Sequence, residues 1–156
     1  MAFLDGGQPF GRRYYWKSGD AEEISDGVAE KLIESATEIA SPFSAILCMH
    51  LGGAPARIDP ESTAVGIRSA QYGMVFQGAW TDPAEDASHV GWARSALERV
   101  RPFTSGSAYL NFITEDESAT GVRTAYRDRI FEKLRRIKST YDPRNVMAGS
   151  LNIPPG

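Results

Sequence analysis

Tyr109 and Asn111 stand two apart in the apolar stretch Ser107 to Ile113 of this 156-residue chain. In a strand, that spacing sends both side chains out of one face, while Leu110 and Phe112 leave by the other. A titratable phenol thus stands beside a carboxamide. The plainer reading of the same residues is a half-buried sheet aromatic whose hydroxyl is hydrogen-bonded. Arg68 offers a guanidinium able to anchor an anionic group, although such an arginine more often donates a structural salt bridge. Asn152, before Ile153-Pro154-Pro155, reads by itself as a turn residue ahead of a stiff end. His50 and His89 share no spacing that would hold a metal. Cys48 is the only cysteine, which rules out an intrachain disulfide and a cysteine-based metal site. It lies in an apolar run and reads as a small buried hydrophobe.

The elements that must position these residues follow from periodicity and punctuation. Arg12 to Lys17 carries Tyr14, Tyr15 and Trp16 and predicts a first strand. Asp20-Ala21-Glu22-Glu23 has the form of a capping box, and Ile24, Val28, Leu32, Ala36 and Ile39 follow at helical spacing, predicting a helix from Asp20 to Ala40. Phe43 to Leu51 is short and apolar, as a strand buried on both faces would be. Gly52 to Tyr72, with Pro55, Pro60 and Gly66, reads as a long loop able to insert near a ligand. Gly73 to Trp80 is strand-like, and Asp82-Pro83-Ala84-Glu85 opens a second helix that runs to Val100, before Pro102. Ser107 to Ile113 is the fourth strand, and Val122, Tyr126, Ile130, Leu134, Ile137 and Tyr141 mark the apolar face of a third helix. This order predicts an α+β fold with the ferredoxin-like βαββαβ pattern, plus a C-terminal helix and an extended tail. The antiparallel sheet has helices on one face, and its other face is open to a ligand or partner.

Size and composition fit one domain, residues 1–156, with a single core. A hydrophobic fraction of 42% and a charged fraction of 24% are ordinary for a folded globular chain. A net charge of −3 gives no global attraction for nucleic acid or anionic lipid. The third helix is locally basic, from Arg123 to Lys138, as a solvated helix face commonly is. RNA-recognition modules share the strand-helix order, but Tyr72-Gly73-Met74-Val75-Phe76 does not match their third-strand pattern. With no signal peptide or membrane-length apolar run in the sequence, a cytoplasmic location is expected.

Four segments follow one another near the end: Tyr109-Leu110-Asn111-Phe112, a helix closing in Leu134-Arg135-Arg136-Ile137-Lys138, Tyr141-Asp142-Pro143-Arg144-Asn145-Val146, and Asn152-Ile153-Pro154-Pro155. Together with Gly52-Gly53-Ala54, Thr63-Ala64 with Arg68, and Trp80-x-Asp82-Pro83, they resemble the C-terminal segment of berberine-bridge-enzyme-like FAD-linked oxidases. The resemblance covers nearly the whole chain but only the last third or so of such an oxidase. It implies a substrate domain and berberine-like segment without the N-terminal FAD-binding domain, and no glycine-rich phosphate cradle precedes Tyr109.

What the resemblance implies about function is oxidation of an alcohol, sugar or phenolic small molecule, with a hydride passed to FAD and the electrons then to oxygen. Tyr109 would be the catalytic base, Asn111 and Asn152 would lie beside the flavin, and Arg68 would serve substrate binding. A separate FAD-domain protein is one expected partner. A homo-oligomer through the open sheet face is another, because Tyr109, Phe76 or Val75, and one of Tyr14 and Tyr15 would be exposed there. The chain also departs from the family pattern. Gly149-Ser150-Leu151-Asn152 replaces Asn-Gln-Asn-Ile, Met147 replaces an aromatic, and Arg127 and Arg129 stand where the family often has Tyr-Gly and then Asn. The alternative is therefore a stand-alone ferredoxin-like binding or interaction module that kept the scaffold and lost catalysis.

Overall fold

The computed structural model describes residues 7–68, 70–106, 109–114, 118–149 and 151–156. A three-stranded antiparallel sheet is the centre of the molecule, with strands β1 (Arg13–Ala21), β2 (Ala45–His50) and β3 (Tyr72–Trp80) in the order β1-β3-β2. Helix α1 (Asp26–Thr37) connects β1 to β2, and α2 (Asp86–Val100) follows β3. The last helix, α3 (Ser118–Tyr141), precedes the tail.

Register assigns each residue to a face. Tyr15 pairs with Gly78 and Gly19 with Met74, so odd-numbered β1 residues share a face with even-numbered β3 residues. That face carries the core, where Met74 and Phe76 meet Val28 of α1 and Trp92, Ala93, Ala96, Leu97 and Val100 of α2. Trp92 also donates its indole N–H to the Ser35 carbonyl at 2.9 Å, tying α2 to α1. The opposite face presents Trp16, Ser18 and Asp20 of β1, Gly73, Val75 and Gln77 of β3, and Met49 of β2.

Several expected boundaries shift for identifiable reasons. Asp20 does not cap a helix; it pairs with Gly73 inside the sheet, and β1 runs on to Ala21. Ser25 takes the capping role instead, its hydroxyl accepting from Val28 N at 3.4 Å. β2 is half-exposed rather than buried on both faces, because only its first residues lie under the helices, and Cys48 is exposed. Asp82 and Pro83 start the second helical stretch as expected, with the Asp82 carboxylate accepting from Ala84 N at 2.9 Å.

The fourth strand is a correction. Ser107 and Ala108 lie outside the described residues, and Leu110–Phe112 form a 3-10 turn. Phe112 N and Ile113 N donate to the carbonyls of Tyr109 and Leu110 at 2.9 and 3.1 Å. These local bonds replace a ladder, and they free Phe112 to meet Trp16 edge-on at 6.2 Å and Tyr109 at 5.6 Å. The segment nonetheless follows the free edge of β1, with Ser105 bonded to Asp20 and Thr114 to Lys17.

The open face is covered as well. Val75 is 2% exposed and Phe76, on the core side, 0%, so the apolar patch expected to drive self-association is absent there; Tyr109, at 40%, is exposed. Gln8 and Gln77 exchange amide hydrogen bonds at 2.6 and 2.7 Å over one part of that face.

α3 is not one continuous helix. Arg127 has φ 58° and ψ 151°, a conformation that favours glycine, and the helix breaks there. Beyond Tyr141, the Asp142 carboxylate accepts from Val146 N at 2.8 Å and Met147 N at 3.0 Å, while Lys138 pairs with it at 2.6 Å. Asn145 sits in the left-handed region at φ 52°, which asparagine tolerates. The Tyr-Asp-Pro-x-Asn motif is thus a turn held by its own aspartate. The tail then returns along α3, where Arg135 donates to the Pro155 carbonyl at 3.2 Å and Gly156 N to Ser139 Oγ at 2.7 Å.

Candidate active site

On the face away from α1 and α2, the sheet and the long loop enclose a cavity of ≈ 350 Å³. Ser18 and Asp20 of β1, Gly73 and Val75 of β3 and Met49 of β2 line its sheet side. Pro55, Val65, Ile67 and Arg68 come from the loop, and Tyr109 and Phe112 from the 3-10 turn. The expected insertion of residues 52–72 near a ligand site takes this form. A smaller cavity of ≈ 150 Å³ adjoins the turn on its other side, lined among others by Val65, Tyr109, Asn111, Ala125 and Tyr126. Tyr109 borders both.

The four residues singled out from the sequence separate into two groups. Tyr109, Asn111 and Arg68 come together: Asn111 Nδ2 donates to Tyr109 Oη at 3.2 Å, and Arg68 shares the larger cavity with Tyr109. Their contact comes from a turn, not from one face of a strand. Arg68 also holds the loop, donating from Nε and Nη2 to Thr63 Oγ1 at 3.2 and 2.8 Å and from Nη1 to the Pro55 carbonyl at 3.0 Å. Asn152 lines neither cavity. Its Oδ1 is buried with no hydrogen-bond partner among the described residues. An amide oxygen in that state is suited to a donor from outside the chain, such as an imide N–H of a flavin ring, so the tail fits the cofactor that the resemblance implies.

Three cavity residues were not foreseen. Asp20 had been read as a helix cap, yet it is 3% exposed and lines the larger cavity. Burial raises its pKa from the ordinary carboxylate value, opposed by the Ser105 hydrogen bond and by the positive charge of Arg127. Ser18 stands two residues before it on the same face. Tyr126 was assigned to the apolar stripe of α3, but it borders the smaller cavity beside Tyr109, and burial raises its phenolic pKa. Continuing the strand alternation past Lys17 would have found Ser18 and Asp20; no local signal marked Tyr126. Among the described residues no cluster of His, Cys, Asp or Glu is arranged to hold a metal, and no helix is long and apolar enough to cross a membrane.

Comparison with known proteins accounts for this arrangement. Residues 108–154, which contain the turn, α3 and the tail, match the family described as berberine and berberine-like. An uncharacterized FAD-linked oxidoreductase of Bacillus subtilis (strain 168) is 36% identical over 105 residues, which is 67% of this chain and 23% of that protein. A monolignol oxidoreductase of Arabidopsis thaliana, itself berberine-bridge-enzyme-like, is 29% identical over an alignment that takes in 98% of this chain and 31% of the other. Among solved structures, a glycopeptide hexose oxidase complexed with teicoplanin superposes with a TM-score of 0.80 at 24% identity, covering 93% of this chain and 33% of that one. The chain thus spans a third or less of the length of these relatives, of which the Bacillus subtilis protein is described as FAD-linked. The sequence motifs, the family match and the shared fold agree: the chain belongs with the berberine-bridge-enzyme-like family and corresponds to part of the length of its members.

Proposed function

We propose that this chain is the substrate-binding portion of an FAD-linked oxidoreductase that oxidises an alcohol, sugar or phenolic small molecule, and that it acts together with an FAD-binding domain. The observation that carries this reading is the Tyr109–Asn111 contact at the border of the larger cavity. Tyr109 Oη accepts from Asn111 Nδ2 and keeps a second lone pair free for a substrate hydroxyl. As a phenolate, that oxygen would take the hydroxyl proton, with Phe112, Val65 and Ile67 lining the same cavity. Bound FAD supplies the two-electron acceptor for the hydride leaving the substrate carbon. Asn111 and Asn152 are the residues that would face it, and Arg68 holds the cavity wall and is available to a substrate oxygen.

The strand order β1-β3-β2, with Ser105 and Thr114 bonded to Asp20 and Lys17 of β1, supports a ferredoxin-like reading in which that side of β1 takes the fourth-strand place. The module reading is favoured by one observation, the arginine that stands at the strained position 127.

The test is reconstitution. The chain alone, incubated with excess FAD and desalted, is expected to emerge colourless. Joined to an FAD-binding domain of a close relative, it is expected to form a yellow assembly that consumes oxygen with an alcohol, a sugar or a phenol. A flavin-loaded assembly that is reduced by none of the three classes would leave the non-catalytic module as the reading.

A further inference from the structure

Two residues that line the larger cavity each hold a buried polar atom without a partner among the described residues. Ser18 Oγ and Asp20 Oδ1 are both buried, and neither makes a hydrogen bond among the described residues. The two residues are i and i+2 on β1, so they leave the sheet on one side, and both line the cavity. Buried polar atoms are rarely left unsatisfied, because each then costs its full desolvation. The Asp20 carboxylate is also fixed: Ser105 Oγ donates to Oδ2 at 2.6 Å, which leaves Oδ1 as the unused acceptor.

The missing partner must suit one carboxylate acceptor beside one hydroxyl that both donates and accepts. A hydroxyl group meets both at once, donating to Asp20 Oδ1 and accepting from Ser18 Oγ–H. An ammonium is a poorer match. It has no lone pair to accept from Ser18, and the positive charge of Arg127 already acts on Asp20 and would oppose a second cation. Apart from His50, Arg68 and Tyr109, the rest of the lining is apolar, with Leu51, Val65, Ile67, Val75 and Phe112 among it. Such a cavity takes a ring-sized apolar body and offers Ser18 and Asp20 as one point of polar recognition besides Tyr109 and Arg68.

We propose that Ser18 and Asp20 form a hydroxyl-recognition subsite that selects ligands carrying a hydroxyl on an apolar ring. Both are specificity-determining residues and take no part in proton transfer. This rests on reading the cavity as the substrate's, but its test needs no flavin.

The probes are p-cresol, toluene and benzylammonium, which share a ring and differ in the polar group. Each is titrated into the isotopically labelled 156-residue chain while the backbone amide resonances are followed. We expect p-cresol to shift the amides of Ser18, Gly19, Asp20 and Gly73 and to bind about tenfold more tightly than toluene, as two hydrogen bonds of ordinary strength allow. Ser18→Ala combined with Asp20→Asn should bring p-cresol to the toluene level and leave toluene affinity within about twofold, which also reports that the cavity still folds. Equal binding of p-cresol and toluene by the wild-type chain would mean that water satisfies the two atoms, and would overturn the proposal. Tighter binding of benzylammonium, or shifts confined to other residues, would overturn it too. Failure of the oxidase reading appears separately, as an assembly that consumes no oxygen.

Discussion

The Cα of Gly66 lies against the carbonyl oxygen of Ala125, so close that a Cβ on Gly66 would fall inside the van der Waals shell of that oxygen. The contact joins the loop that walls the cavity to the first turns of α3, and the opposing atom is backbone and cannot swing aside. Gly66→Ala should therefore destabilise the fold by about 1–3 kcal/mol, the usual cost of overpacking. Urea denaturation measures it, and a loss below about 0.5 kcal/mol would mean that loop and helix separate freely.

At Arg127 the opposite change should help. A non-glycine residue in that region carries about 1–3 kcal/mol of strain, and glycine's greater freedom in the unfolded chain returns about 0.5–1 kcal/mol of it. Arg127→Gly is expected to stabilise the chain by about 1 kcal/mol, while Arg127→Ala keeps the strain and shows no gain. Denaturation midpoints of the two variants decide between strain and a stabilising role for the guanidinium.

Asp142 ties stability to acid. The Lys138 ammonium first, and then the backbone N–H groups of Met147 and Val146, hold its pKa below the ordinary carboxylate value. A lowered folded pKa means that its contribution is complete above the unfolded value of about 3.9 and is lost as pH falls through the folded one. Asp142→Asn should lower the melting temperature at pH 7, and the gap to wild type should close as both are acidified below about pH 3. Thermal melts across that range check it.

Asp20 has the reverse sign. Its folded pKa is raised, chiefly by burial, so the stability linked to its protonation is present below about pH 3.9 and lost as pH rises through the folded value. Asp20→Asn removes that burden and should melt higher than wild type at pH 7, with the advantage fading in acid. A variant that melts lower at pH 7 would show that the charged form is held by more than Ser105 and Arg127.

Tyr109→Phe removes only the phenolic oxygen at the cavity border. In a flavin-loaded assembly it is expected to lower turnover about a hundredfold or more with flavin content unchanged. Unchanged turnover would assign Tyr109 to packing against Phe112.

The helices and the central strand were legible because each is written locally. Gly73 to Trp80 reads as strand-like and falls within β3, and Asp82-Pro83 caps the stretch that follows it. The tail motifs were equally clear as sequence, and Asp142 gives their reason. The long register of β1 was less legible, since Asp20-Ala21-Glu22-Glu23 has the form of a capping box, yet Asp20 and Ala21 belong to the strand that β3 pairs with. Tyr109 and Asn111 were paired for the wrong reason: alternation suggested a strand, and they meet instead across a turn held by local hydrogen bonds, whose Phe112 packs on the remote ring of Trp16. Asn152 reads from the sequence as a turn residue and Tyr126 as part of an apolar stripe; the buried amide oxygen of the first and the cavity place of the second come from packing between distant segments, which no local pattern carries.

β3 sits between strands that both precede it in the chain, and this sets the order of events during synthesis. Neither β1 nor β2 has its observed sheet neighbour until Tyr72–Trp80 has emerged. A nascent chain that stops short of β3 therefore carries two unpaired edges and no sheet core, the state in which strands are most prone to pair with the wrong partner. Placement of one strand closes both ladders at once. Assembly of this domain should accordingly be abrupt, with the ribosome already past residue 80, and a translation pause upstream of that point would prolong the vulnerable interval.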